Sequence, residues 1–316
     1  TAPYGVRGAN GVIIVTTKRG KASEKPSVNF KASVGTNAPV KFPTYLGSAD
    51  YATLYNEAMI NSNPGTDPSK LQLFTQDAIN NYRMAKGDNS DGLGYNWDYF
   101  DYAFKPGMQQ DYSLSIRGGS ERARYYVMAN YYSQSGNYEH TNLTEHDTQA
   151  RFKRYNFRAN VDVDITKDFY VRVDLGARIT DRHAPGTTAS QIVSLCNTLP
   201  PYLPITLPDN DNPDNEDYVL NNPYGMLYGD YKHRKNILGE LSRTGYLVEK
   251  NTYLNGSFAI GHKLDFITKG LKVEGVFSYD ASEGNWVRRE LGNRSDGYMN
   301  FTKYATFQPA DGSYGS

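Results

Sequence analysis

The sequence has little cysteine, little tryptophan and no excess of either charge. Of its 316 residues, one is cysteine and two are tryptophan, and 34 Lys and Arg balance 34 Asp and Glu. A single cysteine excludes an internal disulfide framework, and no Cys/His set has the spacing of a zinc site. A formal net charge of zero provides no global field toward nucleic acid. The composition therefore argues against disulfide-stapled, zinc-stabilised and nucleic-acid-binding proteins.

Long hydrophobic runs are also missing. The longest stretch without a charged residue, 184–208, is interrupted by prolines, which break any helix that could cross a bilayer. The mean hydropathy is −0.66, yet tyrosine occurs 27 times and aromatic residues reach 13%, which excludes global disorder. A transmembrane β-barrel meets lipid at only every second residue of a strand, so low mean hydropathy is compatible with such a protein.

Apolar and polar residues alternate along much of the chain. The pattern is clearest over 154–180, where apolar positions such as Phe157 and Val173 oppose polar positions such as Asn160. Shorter stretches of the same pattern occur over 28–34, 112–131 and 254–279. They predict an all-β, antiparallel fold of about seven strands, with an eighth at 299–307.

The connections between these strands differ in length. Short turns near residues 120, 167 and 269 alternate with long segments near 36–110, 134–152 and 181–250. Strands of about 10 to 13 residues with one charged face exceed the usual strand length, and outer-membrane barrels have short turns at one end and long loops at the other. The pattern favours a segment of a transmembrane β-barrel with long extracellular loops. A secreted or surface β-rich binding protein that adheres through loop aromatics is the alternative.

The long loops contain helical patterns and one aromatic cluster. Residues 48–61 predict a short amphipathic helix, and 71–85 a weaker one. Trp97, Tyr99 and Phe100 are candidates for contact with a substrate or with a protein lid, because stacked rings grip sugars or peptide side chains. Packing of the loop, or a place in the interfacial aromatic girdle, is the favoured reading of this cluster.

Charged residues on the strands predict a channel wall rather than a catalytic centre. No pair of carboxylates is placed across a cleft, and the five histidines lack any metal or triad context, so we expect neither enzyme activity nor a cofactor. A calcium site at Asp209, Asp211 and Asp214 is a weak alternative to a solvated acidic loop. The predicted lumen-lining residues are Arg158, Asp162, Asp164, Arg172, Asp174 and Arg178.

A family resemblance is carried by residues 4–20, YGVRGANGVIIVTTKRG. The glycines at 5, 8 and 11 do not match a dinucleotide-binding G-x-G-x-x-G, and they precede a strand rather than a helix. The segment resembles the signature that closes the plug domain of SusC/RagA-type TonB-dependent outer-membrane transporters. Further resemblances follow in family order, including 54–58, 118–120, 153–158, 222–224 and 269–271.

The resemblance implies a plug inside a barrel of about 22 strands, of which this chain holds the end of the plug (1–24) and the first part of the barrel (25–316). It also implies import of an oligomeric nutrient, glycan ahead of peptide, across the outer membrane of a Gram-negative, Bacteroidetes-like cell. The implied partners are a SusD-like lipoprotein, TonB through a segment missing here, and outer-membrane lipid. The signature residues proposed to latch plug to barrel are Tyr4, Gly5, Arg7, Gly8, Asn10 and Gly11.

Overall fold

The fold is one antiparallel β-sheet with helices gathered in its long connections. The computed structural model describes residues 17–139, 147–206, 227–229, 232–233 and 235–290. Seven strands pair in sequence order, so the predicted all-β antiparallel architecture is confirmed. They are β1 (Ser23–Asn37), β2 (Gly107–Gly119), β3 (Ala123–Ser135), β4 (Arg151–Asp164), β5 (Phe169–Pro185), β6 (Gly245–Lys263) and β7 (Lys272–Glu290). The sheet is not closed, and within the described ranges β1 and β7 are its edges.

Several strands end at other residues than the alternation predicts. β5 continues beyond residue 180 to Pro185, because its last residues pair with the start of β6, from Tyr246 onward. β6 ends at Lys263 rather than near 266, and residues 264–271 form the turn into β7. The predicted eighth strand at 299–307 lies outside the described residues. β1 begins at Ser23, close to the predicted domain boundary, which stays a prediction.

Continuous registers bring the apolar positions of neighbouring strands onto one face of the sheet. Phe157 on β4 pairs with Ala129 on β3 and with Ala177 on β5, and Ala177 pairs in turn with Leu254 on β6. The side chains on this face have no covering layer: Phe157 is 50% exposed and Leu175 is 54% exposed. An exposed apolar face that runs across a whole sheet is the lipid-facing surface of a transmembrane barrel wall.

Tyrosines lie at two levels of the apolar face. Tyr131 stands between Tyr112 and Tyr155, with ring centroids 6.4 and 5.1 Å apart, in the half of the sheet nearer the long loops. Tyr125 lies six residues away on the same strand, a separation of about 20 Å. Aromatic residues flank an apolar band about 25 Å tall in barrels of this type, so the two levels fit the two membrane interfaces.

Within the described residues, five helices lie in the long connections between strands. They are α1 (Ser48–Ser62), α2 (Gln76–Met84), α3 (Tyr99–Ala103), α4 (Ala189–Thr198) and α5 (Ile237–Ser242), with a 3₁₀ turn at Pro68–Lys70. α1 and α2 match the two helices predicted from the sequence. Side-chain oxygens of Thr75, Asp98, Thr188 and Asn236 cap α2 to α5 in turn, which explains where these helices begin. Among the described helices, none combines the length and apolarity needed to span a membrane.

The connections between β1 and β2 and between β5 and β6 share a hydrophobic core, which we call the loop module. Its fully buried side chains include Leu227, Ile192 of α4 and Ile237 of α5. They belong to one cluster with the buried Phe100 of α3. Burial of each such large apolar side chain contributes about 1.5–3 kcal/mol. The loop module is therefore a packed structure above the long-loop end of the sheet rather than a set of independent loops.

The first prediction tests the assignment of the two faces with adjacent residues of β4. Phe157→Lys places a charge on the exposed apolar face, and we expect it to destabilise the full-length protein in lipid vesicles by about 2–4 kcal/mol. The matched control, Asn156→Lys, places the same charge on the polar face and should cost much less. Denaturant titration in vesicles measures both. Equal losses would reverse the assignment of the faces.

A second prediction concerns Cys196, which is 4% exposed inside the loop module. Burial, aided by the nearby Asp98 carboxylate, raises the pKa of the Cys196 thiol to about 12, so very little reactive thiolate exists at pH 8. We expect Cys196 to react with an alkylating reagent only as the loop module opens. The control is Cys196→Ala with Ser194→Cys, which places a thiol at an exposed position of the same helix and should react at once. Equal rates would contradict the packed module.

Candidate functional site

The six charged residues predicted to line a lumen share the face of the sheet opposite the lipid-facing side chains. Asp162 on β4 pairs directly with Arg172 on β5, and the remaining members alternate with apolar residues in the same register. We call this surface the polar face. The structure brings the six together there, namely Arg158, Asp162, Asp164, Arg172, Asp174 and Arg178. Their role as the wall of a lumen stays a prediction.

Arg19 crosses to the polar face and binds two of these carboxylates. Its guanidinium donates from Nη1 to Asp162 Oδ1 at 2.7 Å and from Nη2 to Asp174 Oδ2 at 2.6 Å. Asp162 has the least exposed side chain of the three, at 10%. The fork of an arginine allows one side chain to hold two carboxylates on neighbouring strands. Arg19 therefore binds the end of the 4–20 segment to β4 and β5.

Asn160 and Gly20 complete this attachment. Asn160 is 1% exposed, and its Nδ2 donates to the Lys18 carbonyl at 2.6 Å. A Cβ on Gly20 would lie 2.2 Å from the backbone nitrogen of Tyr125, so only glycine allows the chain to approach β3 so closely. Residues 17–20 are thus held by side-chain and backbone contacts, and we call them the anchor.

Near the short turns, the polar face is balanced by ion pairs. Arg124 donates to Asp164 at 2.7 Å, and Arg172 lies 3.8 Å from Asp162 and 3.4 Å from Glu274 on β7. The side chains of Arg124 and Asp164 are about one-third exposed, so water screens that pair and it contributes about 1 kcal/mol or less. The pairs fix side-chain positions around the anchor more than they stabilise the fold.

Nearer the long loops, two arginines of the polar face lack ion pairs of this kind. Arg158 and Arg178 form no ion pair with any described residue, and the Arg178 guanidinium lies 4.6 Å from the centre of the Tyr253 ring. Both border a recess of about 620 Å³ on the polar face, and its lining also includes Gly176 and Asp280. A Cβ on Gly176 would lie 2.0 Å from Asn255 Oδ1, so any larger residue at this position would collide with the Asn255 side chain.

The aromatic candidates in the loop lie in the core of the loop module. Tyr99 and Phe100 are buried, and the Tyr99 hydroxyl is within hydrogen-bond distance of the carbonyls of Pro200 (3.1 Å) and Leu203 (3.3 Å). Trp97 stacks on Tyr95 with centroids 6.3 Å apart. Burial raises the pKa of Tyr99, which keeps the hydroxyl neutral. These contacts are those of the packing role favoured from the sequence, and direct contact with a substrate stays a prediction.

Two groups of predicted residues lie outside the described residues. They are the signature positions Tyr4, Gly5, Arg7, Gly8, Asn10 and Gly11, and the calcium candidates Asp209, Asp211 and Asp214. Within the part of the chain that the structure describes, no three His, Cys, Asp or Glu side chains gather as a metal site.

Arg19 and Asn160 were not predicted from the sequence as functional residues. Lys18, Arg19 and Gly20 entered the prediction only as the last residues of the 4–20 segment that carries the family resemblance. A usable signal existed, because Asn160, Asp162 and Asp174 occupy the same face in the predicted alternation and need polar partners. What the sequence lacked was any indication of which distant residue would meet them.

Comparison with known proteins finds relatives of one kind, TonB-dependent receptors. The chain matches no protein-family model. It is 29% identical over 245 residues to TonB-dependent receptor P3 of Formosa agariphila, which covers 74% of this chain and 20% of that protein. It is 24% identical over 272 residues to TonB-dependent receptor SusC of Bacteroides thetaiotaomicron, covering 83% of this chain and 23% of that protein. The chain thus spans about a fifth of the length of these curated relatives.

Solved structures give the same fold. A structure described as the RagAB peptide importer in the 'open-open' state superimposes with a TM-score of 0.63 at 21% identity, over 94% of this chain and 32% of that one. The 'closed-closed' state gives a TM-score of 0.62 at 19% identity.

An open sheet with a lipid-facing surface, a polar face, short turns at one end and long loops at the other defines a segment of a transmembrane β-barrel wall. The curated relatives and the solved structures identify the class of barrel that this segment resembles. The predicted resemblance to SusC/RagA-type TonB-dependent transporters is confirmed, for a part of their length.

A third prediction tests the anchor. Arg19→Ala removes both guanidinium contacts, so the backbone amides of residues 17–22 should exchange hydrogen faster in the full-length protein, by about tenfold. Arg182→Ala is the matched control, because it removes the Arg182–Glu249 ion pair at the long-loop end of the sheet and should leave exchange at 17–22 unchanged. Mass spectrometry after exchange measures both. Unchanged protection in Arg19→Ala would show that Asn160 and backbone packing hold the segment without Arg19.

Proposed function

We propose that the protein containing this chain imports an oligomeric nutrient, glycan ahead of peptide, across the bacterial outer membrane. The observation that carries the proposal is the anchor. The last residues of the segment that resembles the plug signature are bound to the polar face of a sheet whose other face is apolar and exposed. A barrel wall that holds a plug segment on its inner side is the arrangement that a gated transporter requires.

In this proposal, energy comes from TonB, which acts on the plug from the periplasm, and no covalent chemistry takes place. The anchor resists displacement of the plug until its contacts are broken. A SusD-like lipoprotein covers the long-loop end, where the loop module provides a structured docking platform. The polar face then lines the path of the nutrient, since hydrated oligomers need hydrogen-bonding walls.

Import of peptide is the second candidate. It is supported by the likeness to the RagAB peptide importer, at a TM-score of 0.63. An adhesive surface protein is less well supported, because a soluble β-rich protein would expose the large apolar face around Phe157 and Leu175 to water.

A fourth prediction tests import in cells that produce the full-length protein. We expect uptake of a fluorescently labelled oligosaccharide to stop when TonB is deleted or the proton gradient is collapsed, while surface binding persists. A labelled peptide of similar length, assayed in parallel, decides between glycan and peptide. Uptake that continues without TonB would contradict the proposal, as would a full-length protein that stays monomeric in buffer without detergent.

A further inference from the structure

A cavity of about 460 Å³ lies at the long-loop end of the polar face. Five residues, one from each of β3 to β7, form its floor, namely Gln134, Phe152, Arg182, Leu247 and Arg288. Gln134 pairs with Phe152, Phe152 pairs with Arg182, and Leu247 pairs with Arg288. Between β5 and β6 the register joins Arg182 to Glu249 and Ala184 to Leu247, so the five residues share one face of the sheet but are offset by two positions at this step. Arg182 lies on the same face of β5 as Asp174 and Arg178. The cavity therefore opens on the polar face, beyond the anchor.

The roof of the cavity is a rigid stretch, 186–189, that leads into α4. Gln191 Oε1 accepts hydrogen bonds from the Thr187 hydroxyl at 3.1 Å and from the Thr188 amide at 2.9 Å. The Gly186 amide donates to the Gly245 carbonyl at 2.8 Å, which ties the roof to the start of β6. Sheet and roof are fixed before any ligand arrives, and pre-formed cavities of this size are typical of small-ligand subsites.

The charged residues that line the cavity are all basic. They are Arg151, Arg182 and Arg288, and the lining has no Asp or Glu among the described residues. Arg182 and Arg288 lie on the polar face, whereas Arg151 and the adjacent His183 occupy the alternate positions of β4 and β5. Arg182 donates one N–H to Glu249 at 2.6 Å, and Arg151 pairs with Asp147, but neither carboxylate lines the cavity. Each guanidinium carries five N–H donors, so these pairs leave donors for a ligand. The lining is rich in donors and poor in strong acceptors.

The cavity lining also contains aromatic rings and hydroxyl groups, which bear on the kind of ligand that fits. Phe152 and Tyr138 offer ring surfaces in the lining, and Thr187 and Thr188 contribute hydroxyls. Ring surfaces beside polar groups suit a sugar ring, which has apolar C–H faces and a polar rim. The His183 Nδ1 lies 2.6 Å from the Gln149 carbonyl, which can only accept, so this nitrogen donates and the imidazole is fixed in place.

We propose that this cavity is a subsite for an acidic glycan, in which Arg182 and Arg288 bind a carboxylate or sulfate group of the oligomer. The inference rests on the proposed import function and specifies its substrate class. Arginine binds carboxylate and sulfate oxygens through paired N–H groups, and the sugar ring that bears the acid packs beside Phe152.

The test is calorimetric titration of the full-length protein, purified in detergent, at low and high salt. The probes are oligogalacturonate, its fully methyl-esterified form, a sulfated oligosaccharide and oligoglutamate. We expect an acidic glycan to bind, the methyl ester to bind at least tenfold more weakly, and the acidic binding to weaken with salt. Arg182→Gln and Arg288→Gln should each lower the affinity about tenfold or more.

Arg122→Gln is the matched control, since Arg122 lies exposed in the short turn at the opposite end of the sheet and should leave the affinity unchanged. Arg288→Gln leaves the Arg182–Glu249 pair intact, so a fold disturbed by Arg182→Gln is recognised by comparing the two. Thermal unfolding of every variant checks the fold.

Equal binding of the methyl ester, or unchanged affinity in Arg288→Gln, would overturn the acidic subsite while leaving nutrient import in place. Tighter binding of oligoglutamate than of any glycan would overturn it in favour of an acidic peptide. Import failing for every labelled oligomer, by contrast, removes the proposed function itself.

Discussion

The structure depends on the strand registers, which keep one side of every strand apolar and the other polar. A shift of β5 by one residue relative to β4 would exchange the faces of all β5 side chains and place Asp174 in lipid. The ladders described from β2 to β7 contain no irregularity, and the one between β1 and β2 is disturbed only near Ser23. Because the register is continuous, Arg19 finds two carboxylates at the spacing of adjacent strands.

The two ends of the polar face differ in how their charged residues are paired. Near the short turns, Arg124, Arg172 and Arg19 neutralise the carboxylates, and the anchor is attached there. Toward the long loops, Arg158 and Arg178 form no ion pair with any described residue. The polar face therefore holds its arginines in ion pairs at the anchor end more than around these two residues.

Most of the sheet could be predicted from the sequence, because alternation is a local property that each strand displays by itself. The seven strands and their two faces follow from it, and the helix at 48–61 follows from its own local helical spacing. The extension of β5 to Pro185 could not be predicted, since it depends on pairing with β6 across a long connection. The contact of Arg19 with Asp162 joins residues 143 positions apart, and neither residue differs locally from its neighbours. The cavity likewise could not be predicted, because it forms where a loop packs over strand ends and the apolar periodicity of a sequence carries no information about such contacts.

The strictly sequential order of the strands bears on how the sheet assembles. The β4–β5 pair is closed by a turn at 165–168, whereas the β1–β2 pair must close over 38–106. The entropic cost of joining the ends grows with the logarithm of loop length, so the longer closure costs about 2–3 kcal/mol more if the connection is unstructured. Formation of α1, α2 and α3 within that connection shortens its effective length. The hairpin that carries most of the charged wall is thus expected to form early in folding, and β1, with the anchor preceding it, to dock late.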